Sequence, residues 1–494
     1  MNYRSTRSIA GDAVSAAVAI KNGLAPDGGL YMPESIPTLT AEELGALCAM
    51  PYPERAARIL SLYLSDYTEQ ELLEDCRAAY AEARFPGGAA PIAPINERIY
   101  ALELWHGPTS AFKDMALQIM PRLLSRALKK TGEKRTALIL VATSGDTGKA
   151  ALEGYRDVEG VKILVFYPTD GVSRIQKLQM ITQEGHNVGV RGIFGNFDDA
   201  QTGVKRIFAD AAIAKELDAK GVFLSSANSI NWGRLAPQIA YYVSAYCDMV
   251  NAGRIAMGER LDIAVPTGNF GNIFAAYLAK RMGVPLGRLV CASNSNNVLT
   301  EFLATGTYDR NRQFHMTVSP SMDILISSNL ERLLYLIVGA EKTADYMKKL
   351  SKNGRYSLAE DELAKIRETF SGYCCSEEET AENIRLVFRE NGYLMDTHTA
   401  VGYGAAAAHL RLSGDGTPIV LASTASPYKF APAVYLAAAE REAPEGTAAL
   451  TALCELSGVP IPAPLCGLDA KPILHAKTIE HTAMPEEVLA FAKA

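Results

Sequence analysis

The chain has 494 residues, and single hydrophobic cores stop growing near ~250–300 residues, so more than one packed unit is expected. Its 49 basic and 55 acidic residues leave a formal charge of -6, which argues against non-specific binding to nucleic acid, where a concentrated basic face is needed. The eight cysteines contain no Cys-x-x-Cys pair, and Cys374 and Cys375 are adjacent, so neither a disulfide framework nor a zinc or redox site is expected; reduced thiols in a cytosolic protein fit this usage.

Taken in chain order, Arg4 and Arg7 precede an apolar stretch, Ala13 to Ile20, that faintly resembles a signal peptide. Asp12 interrupts it, and Lys21-Asn22 stand where small cleavage-site residues belong, so it reads as the first helix. No segment reaches the ~18 consecutive apolar residues of a membrane span. Residues 1–95 form a helical region around the turn Asp27-Gly28-Gly29. Lys129-Lys130 and Lys348-Lys349 are isolated basic pairs on solvated helix faces.

From residue 136 a repeating order appears: apolar strand, polar turn, amphipathic helix. Thr136 to Ala142 leads through TSGDTG into a helix from Lys149 to Tyr155. Val161 to Tyr167 leads through PTDG into a helix beginning near Ser173. Asn187 to Val190 precedes a helix at Asp199 to Ala214. Leu261 to Val265 leads through PTGNFGN into a helix at Ile273 to Met282. Ile419 to Ala422 leads through STASP into a helix near Phe430 to Ala439. Continuous apolar strands alternating with helices indicate parallel sheets covered on both faces. Residues 295–395 read as mostly helical and charged, without a strong strand signal. The proline-rich tail beyond Pro460 is expected to wrap over the surface before a short last helix. There is no internal repeat.

Four turns carry candidate chemistry, each beside a plainer reading. In His106-Gly107-Pro108-Thr109-Ser110-Ala111-Phe112-Lys113-Asp114, apolar neighbours desolvate Lys113, lower its pKa and free its amine to condense with an aldehyde; alternatively Lys113 is a surface residue in a first helical turn. Gly268-Asn269-Phe270-Gly271-Asn272, between strand and helix, suits a phosphate held by backbone N–H groups, or is a tight structural turn. It is neither a P-loop nor a dinucleotide fingerprint. Thr143, Ser144, Gly145, Asp146 and Thr147 suit a carboxylate, or Ser144 or Asp146 simply caps the helix. In Ser423-Thr424-Ala425-Ser426-Pro427 a hydroxyl can meet a neutral ring nitrogen, or N-cap the next helix.

HGPTSAFKD, PTGNFGNIFAAYLAKRMG, ATSGDTGKAA, NSINWGR (Asn228 to Arg234), DTHTAVGYG (Asp396 to Gly404) and LASTASPYKF (Leu421 to Phe430) resemble, in order, the motif segments of threonine synthases. YRSTR and GLAPDGGLYMPE (Gly23 to Glu34) fit as well, so the resemblance spans nearly the whole chain and is strongest to the longer bacterial and fungal form. It implies the tryptophan-synthase β-like, fold type II architecture: two α/β domains with parallel-rich sheets, plus a helical N-terminal region and insertion. The implied division is 1–95 for the N-terminal region and 96–134 with 231–440 for the large domain, including the insertion. Residues 135–230 are then the small domain and 441–494 the C-terminal extension. A cleft between the two domains, closing over substrate, follows as an expectation.

The resemblance also implies pyridoxal 5'-phosphate as cofactor, carried by Lys113, which also acts as general base. Gly268, Asn269, Phe270, Gly271 and Asn272 are expected at the cofactor phosphate, and Thr424 at the ring nitrogen. The implied substrate is O-phospho-L-homoserine, converted with water to L-threonine and phosphate. Thr143 to Thr147 are expected at its carboxylate, and Asn228, Ser229, Asn231 and Arg234 at its phosphate, although Arg234 equally suits a helix-face ion pair. His106 and Asp396-Thr397-His398 have either an acid–base or a supporting hydrogen-bonding use. No metal, nucleic acid or membrane partner is expected, and monomer and homodimer both remain open. Lys149, Ser426 and Pro237 depart from the family pattern. A phospholyase on the same scaffold and a non-catalytic binder of phosphorylated metabolites are the competing functions.

Overall fold

The computed structural model describes residues 1–8, 13–169, 172–414 and 416–493; Asp12, and the Asp170-Gly171 half of the PTDG turn, lie outside them. Two sheets organise the chain. The larger runs, edge to edge, through Phe370–Cys374, Leu286–Ser293, Leu261–Pro266, Ile419–Ser423, Ile99–Glu103 and Ile92–Pro94. Its pairings are parallel except the last, where Ile92–Pro94 runs antiparallel to Ile99–Glu103. The smaller sheet runs Thr478–Glu480, Val188–Phe194, Val161–Pro168, Thr136–Ala142, Val222–Ser225, parallel throughout. Leu138, Leu140, Leu164 and Phe166 face one core of the smaller sheet, while Ile139, Val141, Ile163 and Val165 face the other. Such two-sided burial is what continuous apolar strands require.

Helices cover these faces, and local chemistry sets where they begin. Ser173 caps Arg174–Ile181 in a reciprocal capping box with Gln176. The helix expected over Asp199 to Ala214 is instead two, Phe197–Ala209 and Ala211–Ala219, because the Asp210 side chain caps the second. Trp232–Asn251 is buried along nearly its whole circumference, as a helix packed on all sides must be. Pro237 lies inside it, withdrawing one intrahelical hydrogen bond.

Two regions differ from the sequence expectation. The 295–395 stretch is not strand-free: Phe370–Cys374 forms an edge of the larger sheet, and Thr307–Asp309 pairs antiparallel with Arg355–Ser357. These strands are short and mix polar with apolar residues, so they lack the continuous run that marks the central ones. The tail does more than wrap. Thr478–Glu480 adds an edge strand to the smaller sheet, and Met484 and Val488 of Met484–Lys493 enter its core. No described helix is long and apolar enough to cross a membrane.

The sheets' helices meet at Gly154, in Asp146–Tyr155, where an added Cβ would lie 1.9 Å from the Leu117 carbonyl oxygen at the end of Lys113–Leu117. Gly154→Ala is therefore expected to destabilise the fold by about 1–3 kcal/mol, as overpacking does. Gly45→Ala, in a helix with open space around it, should be neutral or stabilising by up to ~1 kcal/mol. Urea midpoints of the two variants check the contrast.

Candidate active site

Because the strands run parallel, the turns that follow them gather at their carboxyl ends, where open α/β sheets place ligands. The strand Ile99–Glu103 leads to Lys113, Thr136–Ala142 to Thr143–Thr147, Leu261–Pro266 to Gly268–Asn272, and Ile419–Ser423 to Thr424. Lys113 is buried and opens the helix Lys113–Leu117, which removes the surface-lysine reading. Its Nζ donates to Asp146 Oδ2 at 3.4 Å and Ser321 Oγ at 3.1 Å, and lies 5.1 Å from the centre of the Phe112 ring. Burial lowers the amine's pKa; Asp146 raises it, while Arg234 and Lys429 lower it further.

The turn that presents Lys113 is strained and braced. Ser110 has φ 58° and a buried hydroxyl with no partner among the described residues, a cost that backbone at functional sites often carries. Asp114 holds the turn closed: its carboxylate oxygens accept the Thr109 N–H at 2.8 Å and the Thr109 hydroxyl at 2.7 Å. A Cβ at position 107 would lie 2.5 Å from Asp114 Oδ2, so the turn needs Gly107.

The Gly268–Asn272 loop meets the lysine through Ser321. A Cβ on Gly268 would lie 2.6 Å from the Ser321 carbonyl oxygen, and Ser321 Oγ is the acceptor for Lys113. Phe270 adopts the left-handed conformation, φ 60°, and no side chain caps the helix Gly271–Arg281 that follows. Its first N–H groups therefore remain available to an anion. Ser327 Oγ and Asn329 Nδ2 hold the loop from below by donating to the Gly268 and Asn269 carbonyls at 2.7 and 2.9 Å. Asn272 Oδ1 accepts from Tyr241 and Tyr242, whereas its buried Nδ2 has no partner among the described residues.

The other expected residues divide by use. Thr143 Oγ1 accepts the Gly145 and Gly148 N–H groups at 3.0 and 2.9 Å, bracing its loop. The N-cap position is Gly145, and it is Thr143, not Ser144 or Asp146, that takes the Gly148 N–H of the first turn, so capping by those two residues does not hold. Asp146 Oδ1 instead accepts from Lys429 and Gln176, each at 2.9 Å; against the opposing effect of burial, the charges of Lys429 and Lys113, with these hydrogen bonds, hold its carboxyl well below the usual range. Ser144 and Thr147 stay partly exposed. The Thr424 carbonyl accepts the Phe112 N–H at 2.8 Å, which sets Thr424 beside the lysine. Ser426 caps Tyr428 at 3.3 Å, as its plainer reading required.

Arg234 is buried and donates to the Ala227 carbonyl at 2.7 Å. No carboxylate pairs with it among the described residues, and burial lowers its pKa to about 10. The helix-face ion pair is thereby excluded. Ser229 accepts from Asn329 at 3.2 Å, and the Asn228 N–H donates to Ser226 Oγ at 3.2 Å. Asn231, expected at the substrate, spends its amide on the Ile20 carbonyl at 2.9 Å and the Gly233 N–H at 2.9 Å. His106 pairs with Glu103 at 2.8 Å. His398 Nε2 accepts the Ser321 N–H at 3.1 Å while its ring pairs with Asp396 at 2.9 Å, so it supports Ser321. Lys149 pairs with Glu153 at 3.1 Å. Ser321, Gln176, Ser327 and Asn329 had no recognisable local motif, and Lys429 stands in LASTASPYKF without a role being read from it.

A desolvated lysine, a glycine-lined phosphate cradle bearing an unpartnered buried amide, and a threonine beside the lysine fit pyridoxal phosphate. They define a pyridoxal-phosphate-dependent enzyme of the tryptophan-synthase β-like fold, and the family model "Pyridoxal-phosphate dependent enzyme" matches residues 88–424. "Threonine synthase N terminus" matches residues 2–80 and "Threonine synthase, C-terminal" residues 399–457. A threonine synthase of Pseudomonas aeruginosa is 40% identical over 440 residues, 88% of this chain and 90% of that protein. The crystal structure of PLP-bound threonine synthase from Brucella melitensis superposes with a TM-score of 0.88 at 36% identity, covering 100% of both chains. The chain belongs to the threonine synthase family. It is also 38% identical over 482 residues to human threonine synthase-like 1, covering 95% of this chain but spanning 63% of that longer protein.

Burial pushes the Asp114 carboxyl up to about 7. With an unfolded value near ~3.9, its stabilising contribution is full below that pH and lost as pH rises to about 7. Wild type should therefore lose stability relative to Asp114→Asn between roughly pH 4 and 7, at up to ~1.4 kcal/mol per unit, with a flat difference above pH ~8. Urea midpoints across that range provide the check.

Proposed function

We propose that the chain is a carbon–oxygen lyase that converts O-phospho-L-homoserine and water to L-threonine and phosphate, working in the cytoplasm. The observation that carries this reading is a neutral-tending, buried Lys113 amine that is linked through Ser321 to the Gly268–Asn272 loop and lies within electrostatic reach of Arg234, a buried guanidinium with no carboxylate partner among the described residues. A cofactor bearing an aldehyde and a phosphate uses the first two features, and an amino-acid substrate bearing a second phosphate uses the third. The division into a small domain at 135–230 and a large one around it is kept, with the tail strand as an added edge.

In this reading Gly268 to Asn272 hold the cofactor phosphate and Thr424 faces the ring nitrogen. Pyridoxal phosphate, when bound, supplies the electron sink that makes the substrate's Cα proton removable. The Lys113 amine takes the Cα proton and moves protons at Cβ, within a site where burial favours its neutral form. Ser144 and Thr147 offer N–H and hydroxyl groups to the substrate carboxylate at the helix start, while Gly145, whose N–H is held by Thr143, shapes the turn. Arg234, with Asn228 and Ser229, receives the phosphate that leaves Cγ. Water then adds at Cβ, and protonation at Cγ and Cα completes the balance of L-threonine plus phosphate.

Incubation with O-phospho-L-homoserine should release threonine and phosphate in equal amounts; 2-oxobutyrate with phosphate would identify the phospholyase instead. Arg234→Gln should lower kcat/KM by about 10–100-fold, the loss expected for a charged hydrogen bond, while leaving cofactor retention intact. Unchanged kinetics in that variant would remove Arg234 from the phosphate site.

A further inference from the structure

The Lys429 ammonium lies at the centre of the site with no accessible surface. It donates to Asp146 Oδ1 at 2.9 Å, to Gln179 Oε1 at 2.9 Å and to the Thr109 carbonyl at 3.1 Å. An ammonium has three donors, and all are committed to protein groups from three different segments. Nothing is left over for a substrate, so its use lies in what it does to its partners.

Its charged partner is the carboxylate that also accepts from Lys113. Asp146 gives Oδ1 to Lys429 and Gln176, and Oδ2 to Lys113. Alone, an aspartate 3.4 Å from the Lys113 Nζ would hold that amine as an ammonium, because an opposite charge favours the charged form. An ammonium has no lone pair and can neither attack an aldehyde nor accept a proton from carbon. The site thus needs the Asp146 hydrogen bond to orient Lys113, yet must cancel its charge. Lys429 meets that need from the far side of the same carboxylate. The other ionisable groups nearby are Asp114, which senses Lys429, and Arg234, which acts on Lys113 in the same direction as Lys429.

We propose that Lys429 is a positioning residue that neutralises Asp146, so that Asp146 can hold the Lys113 amine in place without protonating it. This rests on the reading of Lys113 as the cofactor lysine. It assigns one job to a cation from the strand end that carries Thr424, the turn of Thr109 and the loop of Asp146, and it accounts for burying a lysine completely.

The experiment follows the pH midpoint for modification of Lys113 in cofactor-free protein, by pyridoxal phosphate and borohydride, with the labelled peptide read by mass spectrometry. Lys429→Met should raise the midpoint by about a unit or more, and Asp146→Asn should lower it. The double variant should lie above Asp146→Asn alone. Loss of Lys429 also favours the neutral form of Asp114, and that change would lower the Lys113 midpoint, opposite to the shift predicted. Should the uncompensated Asp146 unfold Lys429→Met, Lys429→Gln, which keeps hydrogen-bonding capacity without the charge, takes its place: an unshifted midpoint in that variant would overturn the proposal. Unshifted midpoints together with a KM for phosphohomoserine raised tenfold or more in Lys429→Met would make Lys429 a substrate ligand instead. No label on Lys113 in wild type would overturn the cofactor-lysine reading, and this inference with it.

Discussion

A buried amine held toward its neutral form beside a carboxylate and two further buried cations is the condition around which the site is arranged. Lys113, Lys429 and Arg234 are all buried within mutual electrostatic reach, and three uncompensated cations there would be prohibitively costly. Asp146 offsets part of that charge while burial shifts Lys113 toward its neutral form. What remains is one guanidinium, Arg234, with no carboxylate partner among the described residues.

This arrangement depends on the two sheets presenting their carboxyl ends together. Lys113 and Thr424 come from neighbouring strands of the larger sheet, and the Phe112 N–H to Thr424 carbonyl bond locks them side by side. Asp146 comes from the smaller sheet, so its link to Lys113 crosses between the units. The backbone bears the cost of this convergence at two non-glycine residues in left-handed geometry, Ser110 and Phe270, and at Gly107, Gly154 and Gly268, where any Cβ would collide with a neighbouring segment.

Much of this was legible in the sequence wherever the signal was local. Central strands such as Thr136–Ala142 and Leu261–Pro266 are continuous apolar runs, and Lys113 and Gly268–Asn272 sit in short motifs directly after strands. Edge strands were not legible: Val222–Ser225 and Thr478–Glu480 are four and three residues long, too short for periodicity to register. Ser321 and Lys429 were missed for another reason. Their meaning comes from partners 208 residues away in the first case, and at Asp146 and Gln179, 250 residues from Gln179, in the second. Asn231 looked like a ligand residue because polar residues in a loop advertise binding; its amide instead ties the loop to the first helix at Ile20.

The most direct test of the central claim is the absorbance spectrum of the purified protein after incubation with pyridoxal phosphate, beside that of Lys113→Ala. The account predicts a visible cofactor band in wild type that survives dialysis and shifts on adding O-phospho-L-homoserine. The variant should show only free cofactor and lose at least the ~10²–10⁴-fold that a positioned general base supplies. A wild-type protein that holds no such band, or a Lys113→Ala variant that keeps both band and turnover, would contradict it.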